Sequence, residues 1–467
     1  MNRFFFLLLV VFANAAHAQI TFEKWLGGTG SDEAKGVVEL ADSGYVILGR
    51  SWSFSNGSSD ILLLRTDKYG DTLWMKHYGG TGSEFTNGAI KITPDDGFVI
   101  AGNTYSYGPG TPSGFNWYLV RTDAEGNLIW SKTWGSAGND ELKHVLVTSD
   151  GNYLLSGAWI VSGVTIGVIL KIDEEGNTLW SDTLPSAATS HFMYACENSQ
   201  HEYVVAGYTF SGTFNALTRK YAEDGTLLIS KMYEAPTAEA AITIEPVPAG
   251  GYICSATWGQ SFSFDPWILR LDEELDTLFT KIMDFNYNIA GNSAKEYSIY
   301  PSGDGFFICG AIANKLMLRK TDENLNSIWE ELYGGLMGDA GYEGIPTMDG
   351  GFIAVGLTFS YGAGDADAYF IKTDANGMQQ VPVGDHVSLN HQLEVYPNPS
   401  GGHFLIRQFT PNHEVGIKIS DSYGRTIQCI AINNEAADID LSAFPNGVYF
   451  LTADEQGWKK PIILMKD

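Results

Sequence analysis

Five acidic side chains occupy the same position of a repeated phrase, and together they could form a site rich in oxygen ligands. Each lies ten residues after a recurring aromatic or aliphatic residue: Asp32, Glu84, Asp140, Glu239 and Asp339. Two further copies align with Ser190 and Ser293. A ring of such oxygens could bind a cation or the hydroxyls of a sugar. Carboxylates in glycine-rich loops more often accept backbone N–H groups, so we interpret these acids as structural and predict no metal site.

Aromatic residues form the second group of candidates, because exposed rings can stack on the faces of sugars or peptides. They follow another repeated phrase, which reads SGYVILG or DGFVIAG in its first two copies. We assign ligand binding to the rings at Trp52, Tyr105, Phe210, Trp258 and Phe359. The alternative is that these rings pack between neighbouring units and contact no ligand.

Catalysis has little support in the sequence. The nine histidines are scattered, and neither H-E-x-x-H nor G-x-S-x-G occurs. We interpret His144 and His191 as packing residues, and Cys254 and Cys309 as buried thiols. Two carboxylates of the acidic set would suit a glycosidase or a lyase if they lay at the right separation. We predict no catalytic residue and no cofactor.

The elements that must position these residues come from a repeat of about 50 residues, a period typical of β-propeller blades. One phrase ends in a turn seven times, with its marker at Asp67, Asp123, Asp173, Ala222, Asp272, Asp322 and Asp374. Each unit contains four apolar runs of strand length, separated by glycine, aspartate and asparagine. The sequence therefore predicts an all-β fold, a seven-bladed propeller of four-stranded blades.

The closure of the ring can be predicted from the phase of the repeat. Tryptophan recurs seven residues after the turn marker at Trp74, Trp130, Trp180 and Trp329. The seventh turn is not followed by such a strand, whereas TFEKWLGG near the N-terminus has Phe22 at the corresponding position. We predict that this N-terminal strand completes the last blade beside residues 365–377. Closure of this kind would leave no blade with a missing strand and an exposed edge.

The two ends of the chain differ from the repeat. Arg3, an apolar run over residues 4–12 and the Ala16-His17-Ala18 pattern predict a secretory signal peptide at residues 1–18. We place the propeller at residues 19–378, a linker at 379–390 and a separate β-domain at 391–467. No transmembrane segment is expected in the mature chain, because no other stretch approaches the required length.

Net charge excludes some classes of partner. The chain has 28 basic and 55 acidic residues, which gives a formal net charge of −27. Such a surface repels phosphate backbones and anionic lipid head groups, so nucleic acids and membrane surfaces are poor candidates.

The C-terminal phrases predict a small immunoglobulin-like β-sandwich, because alternating apolar runs are separated by turn residues. Their motif residues are Tyr396, Pro397, Asn398 and Pro399, Asp421 and Gly424, Gly447 and Tyr449, and Lys459 and Lys460. In order and spacing, residues 391–467 closely resemble the type A C-terminal sorting domain of bacterial type IX secretion. The resemblance implies transfer across the outer membrane by the type IX machinery, followed by surface attachment or release. An ordinary adhesive immunoglobulin-like domain is the alternative.

These observations together predict a secreted cell-surface propeller that acts as a ligand-binding or adhesion module for an extracellular glycan or protein. We place it outside the cell or on the outer-membrane surface of a Gram-negative bacterium. A hydrolase or lyase that acts on extracellular polysaccharide is one alternative. A structural component of a surface layer is another.

Overall fold

All regular elements in the described part of the chain are β-strands. The computed structural model describes residues 19–109, 111, 113–184, 189–233, 239–258, 265–283, 298–379, 393–396, 400–408, 415–421, 425–432, 436–453 and 462–466. The predicted signal peptide, most of the predicted linker and the motif residues Pro397, Asn398, Pro399, Gly424, Lys459 and Lys460 lie outside these ranges.

The repeat region forms 28 strands. They are β1 (Phe22–Leu26), β2 (Asp32–Glu39), β3 (Tyr45–Ser51), β4 (Asp60–Thr66), β5 (Thr72–Tyr78), β6 (Glu84–Ile92), β7 (Phe98–Thr104), β8 (Asn116–Thr122), β9 (Leu128–Trp134), β10 (Glu141–Val147), β11 (Tyr153–Val161), β12 (Val164–Ile172), β13 (Thr178–Thr183), β14 (Thr189–Glu197), β15 (Tyr203–Phe210), β16 (Phe214–Tyr221), β17 (Leu227–Tyr233), β18 (Glu239–Pro246), β19 (Tyr252–Trp258), β20 (Asp265–Leu271), β21 (Thr277–Ile282), β22 (Ser298–Ser302), β23 (Gly305–Ile312), β24 (Lys315–Asp322), β25 (Ser327–Tyr333), β26 (Asp339–Pro346), β27 (Phe352–Thr358) and β28 (Asp367–Thr373).

Seven four-stranded antiparallel sheets are built from these strands, and we refer to their strands as a to d. Six blades use four consecutive strands from β2 onward, and the seventh has the order β1-β28-β27-β26. The a strands contact one another in sequence from β2 through β6, β10, β14, β18 and β22 to β26, and β26 contacts β2 again. The a strands therefore surround the centre of a closed ring. This confirms the predicted seven-bladed propeller.

The N-terminal strand closes the last blade as predicted. β1 pairs antiparallel with β28, with Phe22 opposite Lys372 and Leu26 opposite Ala368. The Phe22 side chain is 9% exposed and packs edge-on against Tyr45 of the first blade and Phe370 of the last blade. β1 is thus hydrogen-bonded to the last blade and packs through Phe22 against the first blade.

Burial follows the position of a strand within its blade. The b and c strands are buried along almost their full length, as in β7 and β8, because neighbouring blades cover both faces. The outer d strands instead alternate, as in β5, where exposed residues flank the half-buried Trp74. Charged side chains such as Lys76 on this outer strand discourage pairing with another sheet edge.

The repeated tryptophans cover a glycine in the turn of the next blade. Gly126 has a φ of 74°, and a Cβ on this residue would lie 2.7 Å from the Trp74 ring. Trp180 covers Gly225 in the same way, and Trp329 covers Gly377. The tryptophan and glycine positions repeat together because each pair forms one contact between adjacent blades.

The C-terminal strands form two further sheets. They are β29 (Leu393–Tyr396), β30 (His403–Gln408), β31 (Val415–Asp421), β32 (Thr426–Ile432), β33 (Ala436–Asp440), β34 (Gly447–Ala453) and β35 (Ile462–Lys466). The sheets have the orders β29-β30-β33 and β32-β31-β34-β35. Phe404 and Ile439 from the first sheet and Ile419 and Leu451 from the second share one apolar core. This is the predicted small β-sandwich.

Candidate functional site

Antiparallel pairing sorts the connections of every blade onto two faces. The a–b and c–d turns, such as residues 40–44 and 67–71, lie at one end of the strands and form the short-turn face. The b–c loops and the d–a loops, such as residues 52–59 and 79–83, lie at the other end and form the variable-loop face. Both groups of predicted site residues lie on or next to the variable-loop face.

The predicted acids join a d–a loop to a b–c loop, as Asp32 shows. Its side chain is fully buried at the start of β2. Oδ2 accepts hydrogen bonds from Gly28 N at 2.8 Å and Ser53 Oγ at 2.6 Å. Oδ1 accepts from Ser51 Oγ at 2.5 Å and Ser53 N at 3.3 Å. Gly28 belongs to the d–a loop and Ser53 to the b–c loop, so one carboxylate orders both.

Three other blades repeat this arrangement. Glu84 accepts hydrogen bonds from Gly80 N at 2.8 Å and Thr104 Oγ1 at 2.6 Å. Asp140 accepts from Ile160 N at 2.7 Å and Ser136 Oγ at 3.0 Å, and Asp339 accepts from Ser360 Oγ at 2.9 Å.

The remaining blades differ at this position. Ser190 is fully buried, and its hydroxyl accepts a hydrogen bond from Gly167 N at 3.0 Å. Glu239 begins β18 opposite Trp258, but its side chain lies outside the described part of the structure, as does Ser293. Within the described residues, no group of three or more His, Cys, Asp or Glu side chains could hold a metal ion.

Replacement of Asp339 by alanine is expected to destabilise the fold. It would leave the hydroxyls of the buried Thr358 and the half-buried Ser360 without their shared acceptor. We expect a loss of about 1–3 kcal/mol in the free energy of unfolding, measured by chemical denaturation. Asp438→Ala, an exposed change in the C-terminal sandwich, is the control. Unchanged stability of the Asp339 variant would show that the acid does not hold the loops.

Two buried acids keep an oxygen without a hydrogen-bond partner among the described residues. They are Asp60 Oδ1, beside Glu84, and Asp367 Oδ1, beside Asp32. Burial, reinforced by the Asp32 charge, raises the pKa of Asp367 to about 6, while hydrogen bonds from Gly364 N and Ala363 N oppose the shift. The Asp32–Asp367 pair therefore favours a protonated carboxyl group as the pH falls toward this value.

The predicted ligand-binding rings differ in accessibility. Trp52 is 38% exposed, and the Arg50 guanidinium lies 3.9 Å from its ring centroid. Tyr105 is half-buried and packs edge-on against Phe115, with ring centroids 5.3 Å apart. Trp52 is therefore partly accessible for stacking, whereas Tyr105 contributes to packing between loops.

The other three predicted rings are distributed around the same face. Phe210 is 38% exposed and pairs with Phe214 at 4.6 Å between ring centroids. Phe359 is 51% exposed. Trp258 ends β19, and its side chain lies outside the described part.

An apolar patch next to Phe359 was missed by the sequence reasoning. Leu336 is 100% exposed and Met337 is 76% exposed, in the d–a loop that leads to β26. Phe359 N donates to Gly338 O at 2.9 Å, so the ring follows this loop closely. We call Leu336, Met337 and Phe359 the loop patch. The sequence does indicate this patch, because residues 334–338 read GGLMG, whereas residues 27–30 and 79–82 both read GGTG.

The centre of the ring contains a second group of residues that sequence reasoning missed. A β-bulge interrupts the described a strand of six blades, for example between Leu142 and His144 and between Phe192 and Tyr194. A bulge inserts one unpaired residue and redirects neighbouring side chains. Here it brings Lys35, Lys143, Met193, Tyr342 and their neighbours to the wall of a central cavity of about 90 Å³.

Glycines permit the close approach of the a strands at this centre. A Cβ on Gly36 would lie 1.9 Å from Gly88 O, and a Cβ on Gly88 would lie 2.3 Å from Lys35 O. Gly88 also has a φ of 101°, which disfavours other residues. The central wall is therefore constrained by backbone contact between blades.

Two tyrosines and two glutamates form a hydrogen-bonded chain beside the cavity. Tyr194 Oη donates to Glu245 Oε1 at 2.7 Å, and Tyr300 Oη donates to Glu343 Oε1 at 2.8 Å. The Tyr194 and Tyr300 oxygens are 3.4 Å apart. Glu343 Oε2 also accepts from Val37 N at 2.9 Å. Both oxygens of Glu343 are thus occupied by donors of the protein itself.

Burial dominates the titration of this chain. It raises the pKa of Glu245 and of Glu343, and the nearby Lys91 ammonium and the tyrosine hydrogen bonds only partly oppose the shift. The pKa values of Tyr194 and Tyr300 are raised well above their ordinary value for the same reason. Both carboxyl groups are therefore protonated more readily than an exposed glutamate.

The sorting-motif residues that are described belong to the sandwich core or its turns. Tyr449 is 4% exposed, and its hydroxyl donates to Pro445 O at 2.5 Å. Gly447 begins β34 with a φ of 152°, and Tyr396 ends β29. Asp421 accepts from Arg425 N at 2.9 Å, which closes the turn after β31.

Comparison with known sequences identifies the C-terminal part. Residues 394–464 match the family described as "Secretion system C-terminal sorting domain". The chain therefore consists of a β-propeller followed by a type IX secretion sorting domain, which directs export to the cell surface or into the medium. No curated protein sequence matches the chain. No helix in the described part is long and apolar enough to cross a membrane.

Several solved structures are similar to this chain at low sequence identity. A protein of unknown function from Dyadobacter fermentans is 10% identical with a TM-score of 0.45, covering 75% of this chain and 97% of its own. The Dos1 propeller is 10% identical with a TM-score of 0.45, covering 77% and 97%. The plexin A4 extracellular region is 8% identical with a TM-score of 0.50, covering 96% of this chain and 62% of its own.

Proposed function

We propose that the protein is a binding or adhesion module whose variable-loop face contacts an extracellular glycan or protein after export. The observation that supports this most is the loop patch, where Leu336, Met337 and Phe359 are exposed together on neighbouring loops. Exposed apolar side chains that cluster on a soluble protein mark interaction surfaces. The methionine adds an adaptable apolar contact, which suits a protein or peptide partner.

The loops that present the patch are held in place by the protein. Met337 N donates to Ser360 Oγ at 3.0 Å, and Ser360 Oγ in turn donates to Asp339 Oδ2 at 2.9 Å. Asp339 thus orders both loops that carry the loop patch. A surface that is already ordered loses less conformational entropy when it binds, which favours affinity.

We further propose that the exported protein functions on the outer-membrane surface of a Gram-negative bacterium, where the variable-loop face can meet molecules outside the cell. The net charge of −27 makes most of the surface repel anionic polymers, so adhesion to such polymers over a broad surface is disfavoured. A partner is therefore expected to be neutral, apolar or recognised at a local site.

Hydrolase or lyase activity on extracellular polysaccharide is the second candidate. It is favoured by the central cavity, where Glu343, Tyr300 and His144 bring acid–base groups together. Carboxyl groups with raised pKa values are typical of acid–base catalysis. We rank it below binding because the cavity of about 90 Å³ would admit only one end of a polymer.

Binding to a panel of glycans and extracellular proteins tests the proposal, with each mixture also assayed for released products. Phe359→Ala and Trp52→Ala are each expected to weaken binding by about 1–3 kcal/mol with little change in stability, because both rings are accessible. Tyr105→Ala should also reduce stability, because that ring packs on Phe115.

The matched control is Tyr69→Ala, which removes a 51% exposed ring from the short-turn face. Equal losses for Tyr69 and Phe359 would contradict the assignment of the binding face. Product release that depends on the cavity residues would favour the enzyme. If no member of the panel binds, the structural surface-layer role becomes the better hypothesis.

A further inference from the structure

His144 has a buried hydrogen-bond donor that no described residue uses. The side chain is 3% exposed, lines the central cavity and stacks on Tyr194 with 3.8 Å between ring centroids. Its Nδ1 accepts a hydrogen bond from Ala195 N at 3.4 Å. The proton of the neutral ring therefore lies on Nε2, which has no partner in the described part of the chain.

The imidazole is neutral at physiological pH. Burial is the main cause of a pKa far below the ordinary histidine value, and the positive charge of Lys91 lowers it further. A buried N–H group without an acceptor is destabilising by an amount comparable to a lost hydrogen bond. The group would be satisfied by an oxygen acceptor placed in the cavity.

Lys91 supplies a positive charge at the same cavity. Lys35 and Lys143 also line it, but they pair with Glu33 at 3.2 Å and with Glu141 at 2.6 Å. Lys91 forms no direct ion pair among the described residues, and its Nζ lies 5.8 Å from the Tyr194 ring centroid. Its charge also acts on the nearby Glu245 and Glu343 carboxyl groups.

The Glu343 carboxylate and the tyrosine hydroxyls beside the cavity already take part in hydrogen bonds. Both oxygens of Glu343 accept hydrogen bonds, from Tyr300 and Val37. The Tyr194 and Tyr300 hydroxyl protons are donated to Glu245 and Glu343. His144 Nε2–H is the buried group of this cavity without a described partner, and the Lys91 ammonium is a second donor at the same cavity.

We propose that the central cavity binds a compact oxyanion, a carboxylate or phosphate group, through His144 Nε2 and Lys91 Nζ. The volume of about 90 Å³ is smaller than that of a cavity of about 150 Å³ that holds one benzene molecule, which suits one such group. The anion could be free phosphate or the terminal uronate of an extracellular glycan. This site is independent of the loop patch and of the function proposed for it.

Isothermal titration of the mature chain, residues 19–467, tests the site with inorganic phosphate, glucuronate and neutral glucose. Phosphate, glucuronate or both should bind, and glucose should not. His144→Phe keeps an aromatic ring on Tyr194 but removes the donor, and Lys91→Met removes the charge. Each substitution is expected to weaken anion binding about tenfold or more, because it removes one hydrogen bond to a charged ligand.

His191→Phe and Lys231→Met are the matched controls. His191 also stacks on a tyrosine, Tyr208, and Lys231 pairs with Asp276 on an outer strand, but neither residue lines the cavity. Both variants should bind the anion like the unmodified protein. Binding of glucuronate alone identifies a carboxylate ligand, and binding of phosphate alone identifies a phosphate ligand.

The proposal is overturned if neither anion binds at millimolar concentration. It is also overturned if Lys91→Met binds as tightly as the unmodified protein. Thermal unfolding of each variant establishes that it is folded, and Lys91→Met keeps the test decisive should His144→Phe fail to fold, because Lys91 is only half-buried.

Discussion

Removal of residues 19–26 from a chain that begins at residue 19 is expected to cost several kcal/mol of stability. The deletion breaks the β1–β28 pairing and removes Phe22 from its contacts with Tyr45 and Phe370. Loss of a buried phenylalanine side chain alone costs about 3–5 kcal/mol. It also leaves β28 as an unpaired edge, which favours aggregation. Chemical denaturation of the chains that start at residues 19 and 27 measures the difference.

Two controls separate closure of the ring from loss of chain length. Replacement of residues 19–26 by a glycine-serine segment of equal length should destabilise as much as the deletion. A synthetic peptide of residues 19–28 should restore stability to the shortened chain by pairing with β28. Equal melting temperatures for the intact and shortened chains would refute closure by β1.

Removal of residues 391–467 is expected to abolish surface delivery. The sorting domain lies beyond the last blade, and the apolar core described for its two sheets contains only its own residues. We expect the shortened protein to fold as a propeller and to remain in the periplasm. Cell fractionation and protease treatment of intact cells measure where it lies.

Tyr449→Ala provides a subtler version of this experiment. It removes a core ring of the sandwich and the hydrogen bond to Pro445 O, and leaves the propeller unchanged. It should reduce surface delivery, whereas Tyr69→Ala on the propeller should not. Normal protease sensitivity of the shortened protein on intact cells would contradict the sorting role.

Much of the propeller could be predicted because the same contacts between neighbouring blades recur around the ring. The phase of the repeat alone predicts that Phe22 belongs to the last blade, and the structure confirms it, because every blade needs an apolar residue at this position of its outer strand. Trp74 and Gly126 recur together because one covers the other. A single sequence thus supplied seven related examples of one unit.

The candidate sites were less predictable, for two physical reasons. Strand alternation assigns every second residue to the same face, but the bulge before His144 adds one residue and changes which side chains reach the cavity. Accessibility of loop rings depends on loop conformation, so Tyr105 and Phe359 share an offset in the repeat yet differ in exposure. Residue type alone does not distinguish such positions.

Methionine footprinting with the tightest ligand of the panel tests the central claim that the variable-loop face binds. Met337 is 76% exposed in the loop patch, whereas Met348 and Met378 are 65% and 54% exposed on the short-turn face. Exposed methionines are oxidised to the sulfoxide, and a bound partner slows the reaction. We predict that the ligand protects Met337 and leaves the oxidation of Met348 and Met378 unchanged. Protection of Met348 and Met378 with unchanged oxidation of Met337 would contradict the account.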